Sequence, residues 1–443
     1  MASQSAPRRH LEPAAIRLHG WPDDTAAARP HPGDRHPNRR SIAPDGDRPF
    51  CKVRKTVDVV EELAKPQLEK LIASLEERGV LRSPEWRTAF RRHYRHRFVP
   101  KVFRHTGTDW EILDGKRPEQ FHEWLDIVYR DAVLITQVSD GSPAVPTSSS
   151  TSPSLMAEML EALDLADDHS VLEIGTGTGY NAALLRERLG GAQVTTIDID
   201  TALVAAARDR LAAHGHRPAL AVANGADGYP PRAPCDRIIC TCGTRYIPEP
   251  WVRQVRPGGV IVANVRGTFD GGVVRLDVGE NGSAHGRFLS EPWCFLPIRE
   301  GGALSLDFLS SPQLGGPDEG TRRQLTFPVE AFGSAFWFLV VLHLPYAFLG
   351  QMGQHDYPGG LYLVDARDGS WAQVDPPKPG GGGSTVREGG PRRLWEIVEQ
   401  AHEFWSMQGR PGRERYGLTV TPDGRQRVWL DDPASGHTCE LPT

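Results

Sequence analysis

The fold of this chain is decided by Val171-Leu172-Glu173-Ile174-Gly175-Thr176-Gly177-Thr178-Gly179, which is followed by Tyr180-Asn181-Ala182-Ala183-Leu184-Leu185. An apolar run, a glycine turn and a second apolar run predict a strand, a tight turn and a helix, in that order. Three alternate glycines let the backbone approach a ligand that any Cβ would block. The helix start adds free N–H groups and the positive end of a helix dipole. We therefore expect a ligand-binding loop at this turn.

The spacing of the glycines narrows the class of ligand. The loop reads G-x-G-x-G, so it lacks both the dinucleotide spacing G-x-G-x-x-G and the Lys-Ser/Thr ending of a phosphate-binding loop. With an acidic residue before it, the loop suits a cofactor that joins an amino acid to a nucleoside without phosphates, and S-adenosylmethionine fits. The binding residues predicted here are Glu173, Gly175, Thr176, Gly177 and Gly179.

The next predicted strand supports this cofactor. Its apolar residues end in Asp198-Ile199-Asp200. An acid at the tip of the second strand, ~20 residues beyond the glycines, is placed to accept hydrogen bonds from ribose hydroxyls. We assign that role to Asp198, with Ile199 beside it. Asp198 could instead cap the predicted helix Thr201–Ala213, although Asp200 fits the cap better.

Composition excludes several classes of protein. A formal charge of −5 over 443 residues gives no electrostatic case for nucleic acid or an anionic membrane as partner. Six cysteines without a C-x-x-C pair argue against a metal site or a disulfide framework and favour a cytoplasmic location. The longest apolar run, 335–350, is interrupted and too short to cross a bilayer, so we interpret it as buried strand and turn.

Pattern divides the chain into three parts. Residues 1–55 are rich in Pro, Arg and Asp and are predicted to be disordered, unless the reading frame starts too early. Residues 56–289 begin with an amphipathic helix and then alternate helical patterns with short apolar strands, which predicts a parallel α/β sheet. Residues 290–443 are predicted to form an accessory α+β region for substrate recognition, with a helix over 392–407 and a glycine-rich linker over 376–390. The predicted strands are 170–174, 193–198, 218–223, 237–242, 260–265 and an antiparallel 272–278.

Several motifs resemble those of protein L-isoaspartate O-methyltransferases, in order and spacing, over residues 56 to about 280. They are Arg95-His96-Arg97-Phe98-Val99-Pro100, Thr151-Ser152-Pro153-Ser154, the glycine loop, Asn224-Gly225-Ala226-Asp227-Gly228-Tyr229, Pro234-Cys235-Asp236-Arg237-Ile238-Ile239 and Arg256-Pro257-Gly258-Gly259. The resemblance implies a class I S-adenosylmethionine methyltransferase with a Rossmann-like α/β fold. It also implies an N-terminal helical segment and an extra C-terminal α+β region.

A narrower resemblance concerns the branch of that family found with ATP-grasp (graspetide) and lanthipeptide maturation systems. It is carried by Pro146-Thr147-Ser148-Ser149-Ser150-Thr151, by residues 175–181 and by Arg415-Tyr416-Gly417-Leu418-Thr419-Val420-Thr421-Pro422-Asp423-Gly424. It implies methylation of an aspartate carboxylate in a ribosomally made, macrocyclised precursor peptide, and closure of the ester to an aspartimide. The implied partners are that peptide and an ATP-grasp or lanthipeptide maturase.

The predicted catalytic residues are Thr151, Ser152 and Ser154. An aspartate is already ionised at neutral pH, because its pKa is near ~4, so methyl transfer to it needs positioning and desolvation more than a strong base. The hydroxyl-rich run 147–154 supplies donors that could orient a carboxylate. Thr151 stands at the position of the family's functional serine, and Ser154 replaces a histidine. Thr151 could also be a helix cap or a solvated loop hydroxyl.

Two further positions follow from the resemblance. Asn224 and Gly225 are predicted to contact the adenine side of the cofactor, although Asn224 could be an ordinary loop cap. Residues 241–244 are expected to line the methyl-transfer face. The basic run 91–97 favours a solvated helix face over docking of an acidic peptide, and the Trp395/Trp405 face favours core over a binding groove.

Two other functions remain open at this level. The first is repair of isoaspartate in damaged proteins, against which the Thr151 and Ser154 departures and the extra C-terminal region argue. The second is a non-catalytic protein that binds a peptide and delivers it to a maturase. The intact glycine loop and Asp198 argue against that reading, because both serve cofactor binding.

Overall fold

The structure is a computed structural model that describes residues 49–107, 109–190, 193–299, 320–325, 334–351, 360–375 and 383–441. The predicted disorder over residues 1–48 and the first part of the predicted glycine-rich linker, 376–382, lie outside these ranges. Residues 385–389 form a strand, which corrects the linker prediction there. Among the helices of the described ranges, none combines the length and the apolar character that a bilayer crossing requires.

The N-terminal part consists of three helices and a small antiparallel sheet of order β2-β1-β3-β4. The elements are α1 (Pro49–Glu77), α2 (Pro84–Arg92), β1 (Lys101–His105), β2 (Trp110–Asp114), α3 (Phe121–Val128), β3 (Leu134–Val138) and β4 (Pro146–Ser150). Residues 49–55 are helical, which corrects the predicted disorder there. The reason is local, since Pro49 occupies the first helical turn and neither Pro nor Gly follows before Pro66.

A ten-stranded central sheet carries the predicted parallel unit. Its first elements are α4 (Pro153–Ala162), β5 (Val171–Ile174), α5 (Tyr180–Leu189), β6 (Val194–Asp198), α6 (Thr201–Ala213), β7 (Ala219–Val222), β8 (Cys235–Thr244), α7 (Glu249–Gln254), β9 (Val255–Arg266), β10 (Gly271–Val278) and β11 (Ala284–Phe288). Strand β5 pairs in parallel with β6 and β8, and β10 runs antiparallel to β9. The five predicted parallel strands and the antiparallel sixth are therefore confirmed.

The central sheet is buried on both faces. Along β9, Val260 and Val262 pack into one hydrophobic core, whereas Ile261 and Ala263 pack into the other. Because side chains alternate along a strand, consecutive apolar residues serve opposite faces. The N-terminal helices, α4 and α5 contribute residues to the first core, and α7 and the C-terminal part contribute residues to the second.

The C-terminal part contributes to two sheets. Its elements are β12 (Thr321–Gln324), α8 (Ser334–His343), β13 (Ala347–Gln351), β14 (Leu361–Asp365), β15 (Ser370–Asp375), β16 (Thr385–Gly389), α9 (Leu394–Met407), β17 (Tyr416–Val420), β18 (Gln426–Leu430) and β19 (Thr438–Glu440). Strands β12 to β16 form a separate antiparallel sheet, while β17 pairs with β11 and extends the central sheet. The predicted domain boundary near 290 stays a prediction. Three strands that follow it in the chain, β17, β18 and β19, belong to the central sheet.

Two C-terminal predictions have clear outcomes. The apolar run 335–350 was expected to be strand and turn, but its first part is helix α8, which corrects that prediction. A run that is apolar on every side has no periodicity to separate helix from strand. Trp395 and Trp405 are buried, at 0% and 7% exposure, so the core interpretation of their helix face is confirmed.

Candidate active site

A cleft of about 800 Å³ opens where β5, β6 and β8 end. In open α/β sheets, ligands bind at the carboxyl ends of the parallel strands, where neighbouring loops diverge. Three segments line most of the cleft: the glycine loop, the hydroxyl-rich residues 147–151 and the irregular stretch 296–299. The predicted loop and the predicted hydroxyl run therefore meet in one site.

The three loop glycines all have positive φ, at 100° for Gly175, 50° for Gly177 and 86° for Gly179. A Cβ on Gly175 would lie 2.7 Å from Thr241 Oγ1, so a side chain is excluded there. Gly175, Thr176 and Gly177 line the cleft, as predicted. Gly179 lies against α6 instead, where a Cβ would be 3.2 Å from Ala207 Cβ, so its glycine serves helix packing.

Glu173 and Asn181 leave unpaired oxygens in the wall of the cleft. Glu173 is fully buried and its Oε1 accepts a 2.8 Å hydrogen bond from Asn181 Nδ2. Among the described residues, Glu173 Oε2 and Asn181 Oδ1 have no partner. Burial raises the pKa of Glu173 to about 7. Buried acceptors of this kind fit a ligand that brings donors, such as the amino group of S-adenosylmethionine.

Asp198 lies at the tip of β6, and both its oxygens accept backbone hydrogen bonds. Oδ2 accepts from Gly177 N at 2.9 Å and Oδ1 from Asp200 N at 3.1 Å. Burial raises the pKa of this carboxyl, although the two backbone N–H groups oppose the shift. Ile199 beside it also lines the cleft. Each carboxylate oxygen retains a second lone pair, which suits the predicted contact with ribose hydroxyls.

Asp200 is the cap of α6, as the sequence favoured. Its carboxylate accepts from Ala202 N at 2.9 Å and from Leu203 N at 3.1 Å. Its other oxygen lies 3.6 Å from Arg299 Nη2, and the same nitrogen is 3.7 Å from Asp198 Oδ1. Arg299 thus brings a positive charge to the acidic rim of the cleft.

The hydroxyl-rich run lies directly against the glycine loop. A Cβ on Gly177 would be 3.6 Å from Ser149 O and 3.7 Å from Ser148 Oγ. Of the three predicted catalytic residues, Thr151 lines the cleft, whereas Ser152 and Ser154 are not among its lining residues. Both of these are buried at the start of α4, where Ser154 N donates to Asp131 Oδ1 at 2.9 Å. Ser152 is the N-cap of α4, and Ser154 lies in its first turn, directly after the residues that line the cleft.

Arg95 holds the hydroxyl-rich run in place. This side chain is fully buried and donates to the carbonyls of Val128, Arg130, Ala132, Ser150 and Thr151 at 2.8–3.1 Å. Desolvation lowers its pKa to about 10. From the sequence, this arginine was part of the motif 95–100 and of the basic run 91–97, and neither pattern shows that its side chain folds inward.

Other members of the basic run have acidic partners. Arg91 Nε lies 3.3 Å from Glu69 Oε2, and Arg97 contacts Glu61. Arg92 contacts Glu187. These pairs agree with the predicted scaffold and surface role of the run.

Asn224 caps the short turn that follows β7. Its Oδ1 accepts from Ala226 N at 3.2 Å, and its Nδ2 donates to Asp227 Oδ2 at 3.1 Å. Gly225 lines the cleft, and a Cβ there would lie 2.7 Å from Ile174 Cγ2. Asn224 thus has the cap role that the sequence left open, and adenine contact at this turn stays a prediction.

The sequence did not predict that residues 296–299 form part of the cleft. Residues 296–299 lie against the end of β8, because Gly243 N donates to Leu296 O at 2.8 Å and Ile298 N donates to Gly243 O at 2.7 Å. The segment has no periodicity, so only this pairing reveals its place. Within the predicted stretch 241–244, Thr241 and Cys242 line the cleft.

The parallel sheet, the positive-φ glycine loop and the acid at the tip of the second strand define a class I S-adenosylmethionine-dependent methyltransferase. The family model for protein-L-isoaspartate(D-aspartate) O-methyltransferase matches residues 116–300. A protein-L-isoaspartate O-methyltransferase of Thermococcus sibiricus is 33% identical over 198 residues, which cover 44% of this chain and 76% of that protein. The chain belongs to this family.

Other relatives match over shorter stretches. A protein-L-isoaspartate O-methyltransferase of Azorhizobium caulinodans is 48% identical over 114 residues, or 26% of this chain and 52% of that protein. The chain thus spans about half the length of several curated relatives that it matches. A solved protein-L-isoaspartate O-methyltransferase structure covers 82% of this chain and 100% of its own, at 22% identity and a TM-score of 0.49.

Proposed function

We propose that this chain transfers a methyl group from S-adenosylmethionine to a side-chain carboxylate of an aspartate-derived residue in a polypeptide, and that an L-isoaspartyl residue is its main substrate. One observation carries the reaction type: a strand rich in hydroxyl groups lies directly against the glycine loop inside one cleft. The substrate class is supported by the relatives, which are named as protein-L-isoaspartate O-methyltransferases.

The chemistry asks little of the protein beyond positioning. When bound, S-adenosylmethionine supplies a methyl group on a sulfonium sulfur. The substrate carboxylate is ionised at neutral pH, so no residue has to remove a proton from it. Glu173 and Asp198 offer acceptors to the cofactor, and the hydroxyls of residues 147–151 can donate to the carboxylate. Alignment and exclusion of water then account for the rate.

A second substrate is favoured by a separate observation. The C-terminal part lies largely beyond the family match at 116–300, and its α8 and α9 share a hydrophobic core with the central sheet. Together with Thr151 and Ser154 in place of serine and histidine, this supports the narrower proposal of a ribosomal peptide. The substrate would then be an aspartate in a macrocyclised precursor, whose ester closes to an aspartimide. The proposed partners are that peptide and its ATP-grasp or lanthipeptide maturase.

The deciding experiment is mass spectrometry after incubation with S-adenosylmethionine and two matched pairs of substrates. These are an isoaspartyl peptide, the same peptide with L-Asp, and a precursor peptide before and after cyclisation. Addition of one methyl to the isoaspartyl peptide alone supports repair. Methylation of the cyclised precursor alone, followed by loss of methanol, overturns repair in favour of peptide maturation.

Calorimetry with S-adenosylmethionine and S-adenosylhomocysteine separates both enzymes from the non-catalytic alternative. We expect both to bind, because the glycine loop and Asp198 are in place. If circular dichroism shows a folded protein that binds neither compound, the remaining function is delivery of a peptide to a maturase.

A further inference from the structure

Three side chains with metal-ligating atoms meet away from the cleft. His93 follows the end of α2, Glu187 lies in the last turns of α5, and His216 lies between α6 and β7. One ligand atom from each lies within 4.8 Å of the other two. We propose that His93, Glu187 and His216 form a zinc site that ties the N-terminal helices to the catalytic sheet.

The distances fit a tetrahedral ion. Ligand atoms at ~2.0–2.2 Å from a tetrahedral zinc lie about 3.3–3.6 Å from one another. His93 Nε2 and Glu187 Oε2 are 3.2 Å apart, close to such an edge. The rings of His93 and His216 have centroids 4.7 Å apart at an angle of 63°. The ligand atom of His216 lies within 4.8 Å of the other two, so binding of the ion requires this ring to move toward His93 and Glu187.

The donor set indicates which metal the site would hold. Two imidazoles and one carboxylate suit a borderline ion such as Zn²⁺, and a water completes the tetrahedron. His93 is 6% exposed, so the site is sheltered on the side of α2.

Positively charged side chains around the cluster oppose the binding of a cation. Arg92 contacts the other oxygen of Glu187, but its side chain is 66% exposed and the pair is solvated. Arg186 immediately precedes Glu187 on α5, and its charge acts on His216. Arg97 approaches His214 Nδ1 at 3.4 Å. The metal must overcome two or three arginine charges at the rim, which makes zinc affinity the quantity to measure.

The sequence predicted no metal site, and its spacing explains why. The three ligands are separated by 94 and 29 residues (93 to 187, and 187 to 216), so they form no local motif. Without a metal, the same contacts would be a histidine–carboxylate hydrogen bond beside an edge-to-face pair of imidazole rings.

Measurement of zinc binding to the untagged full-length chain distinguishes a zinc site from a metal-free histidine–carboxylate pair. After removal of metal by a chelator, Zn²⁺ is titrated by calorimetry into wild type, His216→Gln, Glu187→Gln and the control His285→Gln, an exposed histidine on β11. His10, His19, His31 and His36 are present in every variant, so only differences between variants count. We expect wild type and H285Q to bind one zinc ion per chain at this site. The Kd for Zn²⁺ should rise ~10- to 100-fold in H216Q and E187Q. Equal affinity in all four proteins would overturn the proposal.

Cobalt provides a readout that does not depend on the variants folding. Tetrahedral Co²⁺ in wild type should give intense visible absorption, and Zn²⁺ should displace it. A weak octahedral spectrum would contradict the proposed ligand set. Saturating Zn²⁺ should also raise the Tm of wild type and H285Q by mass action, and it should leave E187Q unchanged.

Discussion

Gly177 N donates a 2.9 Å hydrogen bond to Asp198 Oδ2, so the carboxylate assigned to the cofactor ribose also holds the glycine loop. The bond joins the two motifs that the sequence places 21 residues apart. Since Asp198 Oδ1 accepts from Asp200 N, the carboxylate is oriented before any ligand arrives. Preorganisation of this kind lowers the entropic cost of binding.

Asp198→Asn should weaken cofactor binding without unfolding the protein. The amide turns an N–H group toward one of the two backbone donors and removes the negative charge. We expect the Kd for S-adenosylhomocysteine, measured by calorimetry, to rise about 10- to 100-fold, the effect of one lost charge-assisted hydrogen bond. Asp209→Asn, on the exposed face of α6, is the matched control and should leave the Kd unchanged.

Gly177→Leu should abolish cofactor binding. At a φ of 50° a leucine is strained, and its side chain would project into the cleft beside Ser149. Gly424→Leu imposes a similar strain at a φ of 82°, but in open space at the turn after β17. If G177L bound S-adenosylhomocysteine as tightly as G424L does, the assignment of the glycine loop to cofactor binding would be wrong.

Glu173→Gln should remove a pH dependence of stability. The carboxyl has a pKa of about 7 in the folded protein and about 4.5 when unfolded, because burial disfavours its charged form. Between these values the folded state binds more protons, so the free energy of unfolding falls as pH rises from about 4.5 to 7. Urea unfolding of the ligand-free protein at pH 5 and pH 7.5 should show a loss of up to about 3 kcal/mol in wild type.

The corresponding loss should be smaller in E173Q, while all other titrating groups contribute equally to both proteins. A pH dependence identical in the two proteins would show that Glu173 is ionised with no penalty in the folded state. That result would place water or a cation beside its free oxygen.

Arg95→Lys should destabilise the protein and displace the hydroxyl-rich run. Lysine has three donors, so several of the five carbonyls that Arg95 binds lose their partner in a buried place. We expect a loss of about 2–4 kcal/mol in the free energy of unfolding, measured with urea. Arg91→Lys is the control, because Arg91 forms an exposed pair with Glu69 and should change stability by less than about 0.5 kcal/mol.

Thr151→Val should lower methyl transfer while keeping the shape of the site. The isosteric valine removes the hydroxyl that we assign to the substrate carboxylate. We expect kcat/KM to fall about 10- to 100-fold, with S-adenosylhomocysteine affinity unchanged, and Thr151→Ser to retain most activity. Equal loss in both variants would assign Thr151 a packing role instead.

Sequence predicted well where the signal is local. The strand, turn and helix around the glycine loop, the cap at Asp200 and the alternating strands were all found, since each depends on neighbouring residues. Prediction failed for α8, because an apolar run buried on every side lacks periodicity. Sequence also did not show that Gly179 packs against α6, because a glycine at positive φ serves both ligand approach and close packing of helices, and its contact with the cofactor stays a prediction.

The amino-acid sequence by itself determined the α/β class, the glycine loop and the acid that follows it, because spacing along the chain encodes them directly. Tertiary structure alone decided that Arg95 folds inward to hold Thr151, that residues 296–299 complete the cleft, and that His93, Glu187 and His216 meet. These contacts join segments far apart in the chain. Their partners are chosen by sheet order and helix packing, which no local pattern records.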